Sequence, residues 1–198
     1  MPDRYENLKR LGLILEELEK SGSVFDMPQR IQLCLDALEI LEDEEAPELK
    51  AFVLETLATS LTQSSQGDRA DNLEQAIIYY ERALRILTRH AFPQQWASIQ
   101  HNLALTSGNR IYGDRADNLE QAIMYGLCSL EIFAIETFPL QWAGVHHTLG
   151  NLYQDRIRGE RAANLEQAIE HYMDALQVWT RRTNPFVWAG TQNGLGNV

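Results

Sequence analysis

The chain has 198 residues, enough for one domain of ordinary size or one run of stacked repeats. Hydrophobic residues make up 44% and charged residues 23%, the composition of a folded chain rather than a disordered one. With 28 acidic against 17 basic residues the net charge is -11. That argues against a free-standing nucleic-acid binder, which needs a basic face, and against docking on an anionic membrane.

The charge is uneven: residues 1–66 carry 14 acidic and 6 basic side chains, residues 67–198 carry 14 and 11. Cys34 and Cys128 cannot build a disulfide framework, and free cysteines fit a reducing compartment. No apolar run approaches the ~20 residues of a membrane span. The start MPDRYENLKR has no apolar stretch behind a basic one, so no signal peptide is visible. The expectation is a cytoplasmic protein with no membrane and no nucleic-acid partner.

In chain order, the first third is the most divergent. The run Glu42-Asp43-Glu44-Glu45 reads as a solvated loop between two helices, with docking of a basic partner as its functional alternative. Residues 71–89 place Leu73, Ala76, Ile77, Tyr80, Ala83, Leu84 and Leu87 on one stripe, the mark of an amphipathic helix. Asp71 followed by Glu74 reads as a capping box at its start. The next helix opens at Pro93, where a missing N–H costs nothing, and runs through Trp96, Ile99 and Leu103 to about Arg110.

The pattern then returns. Gly67-Asp68-Arg69-Ala70-Asp71-Asn72-Leu73-Glu74-Gln75-Ala76-Ile77 recurs as Gly113 through Ile123 and again, slightly altered, as Gly159 through Ile169, with an offset of 46 each time. Trp96, Trp142 and Trp188 keep the period, as do Pro47, Pro93, Pro139 and Pro185. Asp117 and Glu120 repeat the capping box; at Ala163 the Asp is missing and Asn164 is the expected cap. Leu11-Gly12 and Leu57-Ala58 extend the period to the start, so residues 1–198 read as a single array. No segment alternates with period two. A helix pair cannot bury its apolar face alone, so the expected fold is an all-α solenoid of stacked antiparallel helices.

Leu149-Gly150-Asn151-Leu152-Tyr153 resembles the first helix of a tetratricopeptide (TPR) repeat, and Ala168, Tyr172 and Ala175 fall at the spacings of its second-helix triplet. Two insertions of six residues turn the standard 34 into 46. This long form, with its Gly-Asp-Arg-Ala-x-Asn-Leu-Glu-Gln-Ala-Ile opening, is similar to the TPR arrays of bacterial CHAT-associated proteins. In those the array often precedes a caspase-like protease domain, which is absent here. Arg30, Cys34, Lys50 and Gly126 depart from the pattern. The resemblance implies a TPR-like superhelix of about nine helices. Its pairs are about 4–20/26–42, 48–65/71–89, 93–111/117–135 and 139–157/163–181, with a terminal helix from Pro185 still running at Val198. An end in Leu195-Gly196-Asn197, without a polar cap, leads to the expectation that this is part of a longer chain.

The resemblance also implies that the first helices line a concave groove. Counting from the Leu of Leu-Gly carries groove positions onto His101, His147 and Asn193, onto Asn151 and Asn197, and onto Gln154. An Asn amide both donates and accepts, so Asn151 and Asn197 suit an extended peptide backbone. The groove has almost no Lys or Arg, which excludes a clamp for a carboxylate terminus. The expected partner is a protein or peptide segment held in this groove. The alternative is a regulatory region of a larger protein with a caspase-like domain.

His101 and His147 lie one period apart, too far to share a metal, and His146 has no ligand four residues on. No metal or other cofactor is expected. Trp96, Trp142 and Trp188 read as packing between repeats. Arg69, Arg115 and Arg161 read as loop braces. Cys34 and Cys128 sit on apolar helix faces, and no nucleophile elbow, P-loop, Cys-x-x-Cys or His-Glu-x-x-His occurs. No residue is expected to be catalytic, and the chain is not expected to be an enzyme.

Overall fold

The structure is a computed structural model that describes residues 4–20, 26–42 and 46–198. Asp43, Glu44 and Glu45 of the acidic run lie outside the described residues. Among the described residues the chain is all-helical and forms nine helices. These are α1 (Arg4–Lys20), α2 (Met27–Ile40), α3 (Pro47–Gln63), α4 (Arg69–Leu84), α5 (Pro93–Gly108), α6 (Arg115–Leu130), α7 (Pro139–Asp155), α8 (Arg161–Val178) and α9 (Pro185–Gly196). None of them is long and apolar enough to cross a membrane.

Two compact units divide the chain between Thr88 and Arg89. In the first, α1 packs on α2, α2 on α3 and α3 on α4. Its buried residues include Leu11, Ile14 and Leu18 of α1, Cys34 and Ala37 of α2, Leu54 and Leu57 of α3, and Leu73 and Tyr80 of α4. In the second, α5 to α9 pack sequentially, and the first helices of the pairs also touch, α5 with α7 and α7 with α9. Leu119 and Ile123 of α6 pack with Val145, Leu149 and Leu152 of α7 and with Ala97 and Ala104 of α5. A fully buried leucine such as Leu149 contributes about 1.5–3 kcal/mol relative to exposure. Each unit is thus an array of antiparallel helix pairs, as the period implied.

The conserved-period motif turns out to be a device for turning the chain. Gly67, Gly113 and Gly159 have φ of 79°, 84° and 83°, a left-handed turn that a side chain disfavours. The next residue is the N-cap: Asp68 Oδ1 accepts from the N–H of Ala70 and Asp71, and Asp114 Oδ1 from that of Asp117. The second helices therefore start two residues earlier than expected, and the Asp71–Glu74 capping box is corrected to a cap at Asp68. Glu160 holds the equivalent place in α8 without a side-chain cap bond. Asn164 is no cap either: its amide donates to the carbonyls of Arg158 and Arg156. Asn72 and Asn118 donate likewise to Gln66 and Tyr112, so this Asn ties the loop to the helix in all three copies. The arginine between them donates back to a carbonyl at the end of the preceding helix, Arg69 to Thr62, Arg115 to Gly108 and Arg161 to Gln154.

The helices also end sooner than the pattern suggested. After Leu84 and Leu130 the chain tightens into hydrogen bonds three residues back, Ile86 N–H to Ala83 and Ile132 N–H to Ser129. α9 ends at Gly196, with Asn197 as C-cap, rather than running to Val198. Each of α3, α5, α7 and α9 opens with Pro in its first turn, as expected.

Candidate functional site

Two polar constellations stand out in the second unit, one along α5, α7 and α9 and one between α7 and α8. In the first, His101 Nε2 lies 2.9 Å from Thr148 Oγ1. The Thr148 hydroxyl donates to the Gly144 carbonyl, so the imidazole supplies the proton to Thr148. The same logic orders His147. Thr191 donates to the Val187 carbonyl, so His147 Nδ1–H donates to Thr191 Oγ1 at 3.0 Å. That leaves His147 Nε2 to accept from the Asn151 amide at 3.3 Å.

The Tyr172 hydroxyl completes the network. It donates to Asn151 Oδ1 at 2.7 Å. The Gln154 amide lies 2.7 Å from the same hydroxyl, which has no second proton, so Gln154 turns its NH2 toward the phenol oxygen. The Tyr172 ring is fully buried against α7 and α9: a Cβ on Gly150 would come within 2.6 Å of it, and one on Gly194 within 2.7 Å. The first unit repeats the arrangement with Tyr80, whose hydroxyl lies 2.9 Å from Thr59 Oγ1. In the middle copy Gly126 replaces the tyrosine, and the Leu149 side chain takes the space, 2.8 Å from where a Cβ would stand.

His101, His147, Asn151 and Gln154 are therefore brought together, with the first two stitching α5 to α7 and α7 to α9. Asn193 is exposed on α9 and Asn197 is exposed at its C-cap. Between α5 and α7 lies a shallow cleft of about 130 Å³ lined by Leu105, Gly108, Asn109, Thr148, Asn151 and Asp155. Leu105 is 42% exposed there. Burial pushes the His101 imidazole down to about 4, the Gly144 carbonyl opposing, and lowers His147 too. Both are neutral at pH 7, so they present no charge to a partner.

The second constellation was not legible in the sequence. His146, buried on α7, meets His171 and Asp174 of α8. The sequence offers His146 no ligand on its own helix; its neighbours lie 25 and 28 positions along the chain, on the facing helix. The i, i+3 spacing of His171 and Asp174 was the one available signal. Burial first, then the facing imidazole, takes His171 down to about 4, and burial takes His146 to about 4 despite the nearby carboxylate. Burial raises the Asp174 carboxyl.

The cysteines carry little reactivity. Cys34 is fully buried and its thiol is pushed up to about 12; burial raises Cys128 as well. Trp142 packs against both apolar clusters of the unit and Trp188 against the second; Trp96 packs on the first, beneath Arg89 at 5.8 Å. Glu120, the expected second member of a capping box, instead accepts two hydrogen bonds of 2.8 Å from Arg156, and Asp117 pairs with Arg158. These bridges join α6 to the α7–α8 loop. No protein-family model matches the chain, and no curated protein matches it either.

Proposed function

We propose that the chain is a tetratricopeptide-type repeat array that binds an extended peptide or protein segment along its first helices. The observation that carries this reading is the ordering of Asn151. Its carbonyl is held by Tyr172 and one N–H by His147, while the side chain stays exposed beside the cleft. Its second N–H is thereby aimed without further loss of side-chain entropy, and a fixed donor next to exposed Leu105 suits an extended backbone with an apolar side chain. The neutrality of His101 and His147 favours an uncharged stretch of partner over an acidic one.

A peptide-display selection tests it. Peptides enriched on the wild-type protein are measured against Asn151→Ala and Leu105→Glu, with Met173→Glu on the exposed face of α8 as the control. Binding weakened roughly tenfold by the first two and unchanged by the third supports the groove. Equal binding to all three moves the interface elsewhere.

A further inference from the structure

The cluster between α7 and α8 takes no part in the groove network. We propose that His146, His171 and Asp174 form a binding site for one zinc ion, with water completing its coordination. His146 Nδ1 lies 3.1 Å from His171 Nδ1 and 3.1 Å from Asp174 Oδ2. One ligand atom from each residue lies within 4.8 Å of those of the other two. Tetrahedral zinc with Zn–N bonds of about 2.0–2.1 Å holds neighbouring ligand atoms about 3.3–3.4 Å apart. The two pairs that include His146 Nδ1 need to spread by only about 0.2–0.3 Å to accept it, and the third pair, His171 with Asp174, lies within the same 4.8 Å.

Hydrogen bonding alone serves this cluster poorly. A ring nitrogen carries one proton or one lone pair, never both. His146 Nδ1 faces two close partners with that single position. If it donates to Asp174, no proton lies straight between the two imidazoles. If it accepts from His171, its lone pair faces the carboxylate oxygen. A cation among the three atoms satisfies every contact at once.

The surroundings hold the donors in place. Trp142 packs on His146 with ring centres 4.2 Å apart, and Tyr153 stacks on His171 at 5.3 Å and 22°. Gln177 donates to Asp174 Oδ1 at 2.8 Å, leaving Oδ2 turned to the histidines, the kind of outer support that orients metal ligands. The Asp174 side chain is 37% exposed, which gives the ion an entry path and the water a place. Two imidazoles and one carboxylate are a donor set zinc takes when it keeps an open position.

Cobalt(II) is the probe, because it adopts zinc's geometry and absorbs visible light when four-coordinate. The full chain is treated with EDTA, desalted and titrated with cobalt chloride, then with zinc chloride. The expected result is a visible band that saturates at one equivalent and is bleached by zinc, with a thermal midpoint that rises with zinc concentration. His171→Ala and Asp174→Asn weaken cobalt binding roughly tenfold or more, while His90→Ala, at an exposed position, retains it. Asp174→Asn is nearly isosteric and partly exposed, so it decides the matter should His171→Ala lose helicity. Absence of both the band and the midpoint shift in the wild-type protein overturns the proposal, as does unchanged binding in Asp174→Asn.

Discussion

At the scale of single residues, close approach and burial set the strongest constraints. Gly150 allows the Tyr172 ring to lie where a Cβ would stand 2.6 Å away. Alanine at this helical position gains up to about 1 kcal/mol of intrinsic propensity. The ring cannot retreat, because Gly194 and the hydroxyl's partners hold its other side, and overpacking costs about 1–3 kcal/mol. Gly150→Ala is therefore expected to lower stability by about 1 kcal/mol in urea unfolding despite the better helix former. His101 has a pH signature. Its imidazole titrates near 4 when folded against 6.5 when exposed. The unfolded chain binds the extra proton first, so His101's contribution is complete above about 6.5 and is lost as the pH falls toward 4. The thermal midpoint is expected to drop between pH 7 and pH 4.5, and the His101 ring resonances to stay flat between pH 7.5 and 5.5.

At the scale of elements, the repeated eleven residues specify how one helix hands over to the next. A left-handed glycine reverses the chain, an Asp cap and an Arg reaching back meet backbone groups that helix ends leave open, and an Asn ties the loop to the helix. The copies make a comparison possible. Asp114→Ala is expected to cost about 0.5–2 kcal/mol, because its carboxylate caps α6. Glu160→Ala removes no cap bond and only a charge near a helix start, about 0.3–0.5 kcal/mol. Chemical denaturation of the two variants checks the difference; equal losses remove the capping account. Helix existence and order were legible from the period and the apolar stripe. The sequence pattern alone points to starts two residues late, because Asp71 and Asp117 also fit a capping pattern, and only the backbone turn at Gly67 and Gly113 makes Asp68 and Asp114 the caps.

At the scale of the molecule, charge and repetition dominate. The net charge of -11 places acidic side chains in mutual repulsion, 28 of them against 17 basic ones. Raising ionic strength from 0.01 M to 0.15 M shortens the screening length from about 30 Å to about 8 Å, which weakens this repulsion more than the short ion pairs. The thermal midpoint is expected to rise over that range; a fall would show that bridges such as Glu120–Arg156 outweigh the excess charge. The helix-pair arrangement also bears on the proposed binding function. The positions proposed to face a partner recur once per period, so His101, His147, Asn151 and Gln154 could be picked by counting. Their hydrogen-bond roles could not, since these depend on Thr191 and Tyr172 from neighbouring helices.

The sequence by itself determined the helical class and the order and pairing of the helices. These follow from local physics: apolar spacing, proline at helix starts and the 46-residue period. The tertiary structure alone decided which side chains meet. His146 acquires His171 and Asp174 only when α8 lies against α7, and Glu120 finds Arg156 rather than its own helix start. Contacts between helices depend on the packing angle and rotation of each, and a period read along the chain carries neither.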